Sequence, residues 1–407
     1  MAKGVRMAAP FSVEIGAEVS VDRISGQEVV FYSGTKIFGS QTLISAGVKI
    51  GAEGPATVVD CRLGRQVELN GGFFQSSVFL DKASLADGAH VREGTLLEEE
   101  TKAGHTVGLK QTILFPFVTL GSLINFCDCL MAGGTGRDAH SEVGSSYVHF
   151  NYTPQQDKAT PSLIGDVPQG VMLDQAPIFL GGQGGMVGPL RIDYGTVITA
   201  GTVWRRDSAG AKLLHGGEGR PLRQDYQAGF YGDIRGKVYN NINYIANLLA
   251  LQQWYLHVRS PFFRKREMGE ALMAGALDLI ESAIGERIKQ LRVFSEKMHK
   301  SAALGKSKGG GEVDMLRRQL ELAEKWPELE VCLQAPLEAD DVMRRYRDTF
   351  LEMFLKQGSP GDDYIAVIRA LNADARQAGT QWLQRIVEQV SGRALAVLPS
   401  LRFFNSE

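Results

Sequence analysis

Apolar residues recur at every sixth position through the first half of the chain: Leu63 and Leu69; Leu85, Val91 and Leu97; Val107 and Ile113; then Leu180, Met186, Ile192 and Ile198. A residue that turns inward once in six positions gives one apolar side chain to each side of a triangular coil, and stacked coils join as parallel strands. Small residues around Gly181, Gly195 and Gly201 suit the corners, because glycine reaches backbone angles closed to other residues. The spacing predicts a parallel β-helix over residues 34–207, clearest from Val107 to Asp207. Between Gly34 and Lys102 the rhythm breaks at Gly71-Gly72 and at Glu98-Glu99-Glu100, which read as degenerate coils with inserted loops. Residues 1–33 read as an N-terminal segment. An ordinary β-sandwich or barrel with coincidental spacing is the alternative.

Beyond residue 207 the period changes. SAGAKLLHGGEGRPLRQD, residues 208–225, has linker composition, and a helical domain is expected over 226–407. Leu272, Ala276, Leu279, Ala283, Ile288 and Leu291 fall at helical spacing, with Glu281, Glu286, Arg287 and Lys289 available for a solvated side. GKSKGGGE, residues 305–312, reads as a flexible linker. Further helical patterns run from Val313 to about Trp326, from Ala339 to Lys356 and from Asp362 to Ser391. The amide-rich run NNINYIANLLALQQWYLHV from Asn240 suits a helix covering an end of the β-helix. These apolar stripes predict packing among the helices or on the β-helix, with partner binding as the alternative.

Composition narrows the partners. A chain of 407 residues is long enough for two or more domains. Its 44 basic and 46 acidic residues leave a net charge of −2, so nothing global draws it to nucleic acid or anionic lipid. Four scattered cysteines do not make a disulfide framework, and Cys127-x-Cys129 lacks the paired spacing of a structural zinc site. A reducing, cytoplasmic setting is expected. The opening residues hold no apolar run suited to export, and no stretch reaches the roughly 20 apolar residues of a spanning helix.

Two stretches carry a family likeness. VGSSYVHFNYTPQQDK, from Val143, and IFLGGQGGMVGPLRIDYGTVITAGTVWRRD, from Ile178, resemble the last coils of the acetyltransferase domain in the bifunctional UDP-N-acetylglucosamine pyrophosphorylase/glucosamine-1-phosphate acetyltransferase family; VGLK, ending at Lys110, is a weaker match. The likeness implies a left-handed β-helix of hexapeptide-repeat type and a homotrimer. It also implies acetyl-CoA or another acyl-CoA as co-substrate, and a sugar phosphate or sugar nucleotide as acceptor. By the same resemblance Lys110 contacts the sugar phosphate, Asn151 and Tyr152 sit where sugar and acyl donor meet, and Lys158 follows them. Ala200 offers a backbone contact to the CoA arm. Ammonium groups suit phosphate, an amide fixes hydroxyls, and a phenol packs on a ring while donating a hydrogen bond.

Departures from the family pattern bear on the chemistry. The family's histidine base has no counterpart in GSLINFCDCLMAGG, where Asn125 and Phe126 occupy the region and Asp128 is the nearest carboxylate. Gly182 replaces a serine and Glu142 an asparagine, leaving them as candidate CoA and substrate contacts. His149, two residues before Asn151, is the preferred substitute base, because strand alternation puts both on one face. Arg205 and Arg206 are candidates for the CoA 3′-phosphate or a diphosphate, with a solvated rim as the alternative. A nucleotidyltransferase domain is not expected, since nothing before Gly34 is long enough to hold one. No metal is expected: His140 and His149 are the only near pair of imidazoles, and a zinc site of this fold needs three. GGQGG at Gly181 and GGTGRD at Gly133 read as a coil corner and a loop, since neither opens a helix. The expected function is acyl transfer to an amino sugar. The alternative is a non-catalytic sugar-nucleotide binder or trimeric scaffold that has lost the histidine.

Overall fold

The computed structural model describes residues 3–216, 226–307, 313–357 and 363–401. Short parallel strands stack on three faces. The first face is an 11-stranded sheet from Arg6–Met7 to Leu213–Leu214. The second and third form one 16-stranded sheet, because Gly108–Leu114 and Asn125–Met131 both run through the corner between them. On the first face the inward residues form a buried column, Ile50, Leu69, Leu85, Ala103, Leu120, Val143, Leu180 and Ile198. The hexad spacing is this column and its counterparts on the other faces. Ile113 alone among the hexad residues points out: Gln111 takes φ 50° at the corner, so Leu114 enters the coil and Ile113 faces the helices.

The coils extend at both ends beyond the hexad pattern. Arg6–Met7 pairs with Val30–Phe31, and Leu213–Leu214 pairs with Val197–Ile198. Part of the expected linkers, residues 217–225 and 308–312, and Asp362 lie outside the described residues.

Ten helices are described. A single turn, α1 (Val167–Gly170), lies within the coils; α2 (Arg235–Trp254), α3 (Ser260–Arg264), α4 (Gly269–Glu296), α5 (Met298–Ser307), α6 (Val313–Glu324), α7 (Trp326–Gln334), α8 (Asp341–Gln357), α9 (Tyr364–Arg369) and α10 (Ala373–Val397) follow. The last expected helix divides at Leu371, because Asn372 caps α10 by accepting from the Ala375 N–H at 2.9 Å. None of the described helices is long and apolar enough to cross a membrane.

The helices cover the third face. Its strands carry apolar pairs, Leu43-Ile44, Val78-Phe79, Leu96-Leu97, Ile113-Leu114, Leu130-Met131 and Leu163-Ile164, whose second members fill the coil and whose first members join the helical core. A strand buried on both sides reads as a continuous apolar run. α4 crosses the strands at Arg62–Leu63, Ser77–Phe79 and Thr95–Leu97. It passes so close at Gly275 that a Cβ there would lie 2.2 Å from Arg62 Cδ. α2 flanks Ser162–Ile164 on a side of the β-helix, rather than capping an end. Its amides satisfy coil backbone: Asn241 donates to the Ala159 carbonyl and Asn247 accepts from the Val167 N–H, both at 2.9 Å.

The seam also buries charge. Glu98 and Glu99, read from sequence as a break in the rhythm, meet Arg259 in the π-helical turn Tyr255–Arg259 between α2 and α3. Arg259 lies 3.5 Å from Glu98, pairs with Glu99 and stacks 4.0 Å from the centroid of Tyr364, while Tyr255 donates to Glu98 at 2.5 Å. Burial outweighs Arg259 at Glu98 and raises its carboxyl to about 7. The fold therefore favours protonated Glu98. That contribution is complete below the ordinary carboxyl value of 4.5 and is lost as pH rises through about 7. Urea denaturation at about pH 5 and about pH 8 should show Glu98→Gln flattening the wild-type decline between them; parallel curves would refute the assignment. Arg259→Ala, which strands two buried carboxyls, should cost about 3–5 kcal/mol in the same assay.

Candidate functional site

The corner between the second and third faces gathers most of the expected substrate residues. Asn125–Met131 turns this corner at Asp128, whose φ of 59° is a left-handed conformation that a short polar side chain tolerates. Asp128 is nearly buried, with Oδ1 2.7 Å from Arg287 Nη2 on α4 and Oδ2 accepting from Asn151 Nδ2 at 2.6 Å. Arg287, read from sequence as solvated, is 2 % exposed. Its side of α4 meets the coil corner, and a buried guanidinium requires the carboxylate it finds there. A second donor, Nη1, reaches the Lys158 carbonyl at 3.4 Å.

Lys110 stands on the neighbouring coil, in register with Cys127, and its Nζ is 2.5 Å from Glu93. Burial, reinforced by Asp128, raises the Cys127 thiol, so it stays protonated and donates to Asn125 Oδ1 at 3.4 Å. Asn125 is exposed at the edge of the second face. The chain then leaves the second face after Val148–Phe150 and returns on the third at Ser162–Ile164. Between them Tyr152 and Lys158 are exposed, and Thr160 Oγ1 donates to the Asn151 carbonyl at 2.7 Å. Lys110, Asp128, Asn151, Tyr152 and Lys158 thus belong to one corner and the loop that leaves it, whereas Asn125, in register with Gly108 and Val148, stands at the other end of the second-face strand.

His149 takes a different place. The ring is 2 % exposed, with Nδ1 2.5 Å from the Cys127 carbonyl and Nε2 2.7 Å from Ser162 Oγ. A carbonyl only accepts, so Nδ1 carries the proton. Burial lowers the imidazole from its ordinary value, which keeps the ring neutral and leaves Nε2 to accept from Ser162. Phe150, next to His149, faces solvent as strand alternation requires, while Asn151 lies beyond the end of the strand. The lone pair meant for a substrate amine is nevertheless occupied inside the coil, so this arrangement offers it no substrate proton.

The other expected residues lie elsewhere. Glu142 is on the first face between Thr119 and Phe179, 4.0 Å from His140 Nε2, apart from the Asp128 corner. Gly182 and Ala200 stack at the corner between the first and second faces. A Cβ on Gly181 there would lie 2.2 Å from Ala200 N, and on Gly182 2.7 Å from the Ser145 carbonyl, so the serine of the family pattern would not fit without a shift. Arg205 and Arg206 are exposed beyond Val203–Trp204, on the second face of the last coil. Gly182 and Ala200 thus lie at the first-face edge of the second face, whereas Arg205, which follows Trp204 as Val187 follows Met186, and Arg206 lie at the opposite edge, on the side of Asp128 and Asn151. Among the described residues no three His, Cys, Asp or Glu side chains are arranged to hold a metal ion. GGTGRD forms a hairpin, Gly134–Gly136 against Ala139–His140, whose Arg137 donates to the Glu100 and Phe117 carbonyls. Sequence reasoning missed Arg287, and no local signal separates it from solvated arginines on the same helix.

The His149 environment makes a defined prediction. Its lowered pKa stabilises the fold above the ordinary imidazole value of 6.5, and that contribution is lost as pH falls below it. Nitrogen NMR should show a neutral Nδ1–H ring at neutral pH, titrating below 6.5. A His149 signal titrating at or above 6.5 would show the ring to be solvated. His149→Ala should destabilise by about 1–3 kcal/mol through the unpaired Ser162 and Cys127 groups.

No protein-family model matches the chain. Among curated proteins, the bifunctional protein GlmU of Thermotoga maritima is 28 % identical over 205 residues, covering 50 % of this chain and 40 % of that protein. GlmU of Pelobacter propionicus is 26 % identical over 52 % of this chain and 41 % of its own length. For GlmU of Carboxydothermus hydrogenoformans the figures are 24 %, 56 % and 45 %. The chain thus spans about two fifths of the length of these relatives. Together with the stacked coils, these matches bear out the resemblance carried by the Val143 and Ile178 stretches: the first half of the chain is a β-helix similar to the left-handed β-helix acetyltransferase domain of the GlmU proteins.

Proposed function

We propose that the protein is an acyl-CoA-dependent acyltransferase that acts, as a homotrimer, on a phosphorylated or nucleotide-linked amino sugar. The observation that supports this reading is the gathering of most expected residues along one edge of the second face. Lys110, Asn151, Tyr152 and Lys158 supply cations, an amide and a phenol for the sugar phosphate, and Arg205 and Arg206, further along the same edge, supply cations; Gly182 and Ala200 offer close backbone approach for the CoA arm at the opposite edge, the CoA edge. Helices cover the third face, so copies associate through the first and second, bringing one chain's CoA edge to its neighbour's acceptor edge. First-face side chains support this: the outward series Lys49, Glu68, Ser84, Lys102, Thr119 and Glu142 gives way to Phe179, Val197 and Leu213 in the last coils. Phe179 and Leu213 are 40 % and 61 % exposed, as residues awaiting a neighbour would be.

In this reaction the sugar amine attacks the thioester carbonyl, its proton passes to a base, and the C–S bond breaks to release CoA thiolate. Asp128 is the carboxylate at the acceptor edge and the candidate to take the amine proton. Asn125 is no base, and its amide, at the far end of the same short strand, is a candidate hydrogen-bonding group only. The second reading, a sugar-nucleotide binder without catalysis, is favoured by one observation: Ser162 occupies the His149 lone pair. A cytoplasmic setting suits either, and the described cysteines are all free thiols.

Calorimetric titration with acetyl-CoA, glucosamine 1-phosphate and UDP-N-acetylglucosamine tests the reading. Saturable acetyl-CoA binding that is lost in Arg205→Ala supports the transferase; sugar-nucleotide binding without CoA supports the second reading, and binding of neither refutes both. Lys110→Ala should weaken the sugar phosphate roughly ten- to a hundredfold, as loss of one charge-assisted contact does. Light scattering after gel filtration should give the mass of three chains, reduced by Phe179→Glu with Leu213→Glu; a monomeric wild type would refute the shared site.

A further inference from the structure

The loop that carries Tyr152 and Lys158 has no regular structure of its own between Val148–Phe150 and Ser162–Ile164. Its backbone is held from the helical side. Lys297, between α4 and α5, donates to the Gln155 and Gln156 carbonyls at 3.0 and 2.8 Å. Arg287 donates to the Lys158 carbonyl. Lys237 on α2 pairs at 3.1 Å with Asp157, whose side chain is fully buried. The Gln155 side chain accepts from the Gly229 N–H and donates to the Phe230 carbonyl, at 2.5 and 3.1 Å. Three cations from the helices thus fix four consecutive loop residues, 155–158.

A second linkage reaches Asn151 from the same side. Arg287 holds Asp128 Oδ1, and Asp128 Oδ2 holds the Asn151 amide, so the amide's direction depends on a residue of α4. An unanchored loop would pay for its ordering when ligand binds, whereas one fixed beforehand does not.

We infer that the helical domain is a working part of the acceptor site: Lys297 and Lys237 hold the loop, and Arg287 is a positioning residue for Asn151 acting through Asp128. This rests on the acceptor-edge assignment above. The CoA edge, at Gly182 and Ala200, receives none of these contacts, so the two ligands should respond differently. That difference separates positioning from general stabilisation.

The test is calorimetric titration of the full chain, as wild type, Lys297→Met, Arg287→Met and Arg287→Lys, with glucosamine 1-phosphate and separately with acetyl-CoA. Lys297 is only half-buried, so its variant keeps the test informative should Arg287→Met fail to fold. Expected is a loss of about tenfold or more in sugar-phosphate affinity in both methionine variants, with acetyl-CoA affinity within about twofold and part of the loss recovered in Arg287→Lys. Amide hydrogen exchange should accelerate over residues 152–158 in the methionine variants. Faster exchange with unchanged sugar-phosphate affinity would overturn the inference, as would an equal loss of both ligands. A wild type that binds neither ligand refutes the acceptor-edge assignment itself, and the inference falls with it.

Discussion

The structure depends on the third face being apolar on both sides. A coil needs only its inward residues to be apolar, and the first face meets this minimum through most of its length, pairing Lys49, Glu68 or Lys102 outside with Ile50, Leu69 or Ala103 inside. The third face exceeds it. Val78, Leu96, Ile113, Leu130 and Leu163 would stand in water without the helices, and their burial provides a driving force for docking proportional to the area covered. The outward residues of the third face therefore belong to the apolar cluster of the helices, while the inward ones fill a separate cluster inside the coils.

Charge fixes where on that face the helices sit. Apolar burial is not directional, whereas a buried ion tolerates few positions. Arg259 meets Glu98 and Glu99, Arg266 meets Asp81 at 2.9 Å, and Arg287 meets Asp128 at 2.7 Å. In each case the cation comes from the helices and the carboxylate from the coils. A shift of either part by one residue would leave buried charges unpaired. Such pairs add less to net stability than to the choice of a single docked arrangement.

The same contacts tie the helical half to the edge proposed as the acceptor site. Asp128 is at once the corner of a coil, the partner of a seam arginine and the acceptor for the Asn151 amide. Docking and site geometry are coupled through this carboxylate. Without the helices the loop from Asn151 to Lys158 would lose the cations that hold its carbonyls, and Asn151 would lose the fixed acceptor that aims it.

Much of this was legible in the residues alone. The hexad series from Leu180 to Ile198 reports inward positions directly, because a coil repeats a local rule, and the stretch VGSSYVHFNYTPQQDK carried the family likeness. The doublets Val78-Phe79, Leu96-Leu97 and Leu130-Met131 also announced a face covered on both sides, though a search for single residues six apart passes over them. Tertiary structure decided the rest. Arg287 and Arg292 lie on the same helix and have the same chemistry, yet one is buried against Asp128 and the other half-exposed beside Glu330. The spacing of His149 in its strand gives which side its ring takes, but only the packing of Cys127 and Ser162 around the ring determines that its nitrogens are occupied. Local periodicity specifies which way a side chain points. What it meets there depends on a surface formed by residues distant in the chain, and no local pattern encodes that meeting.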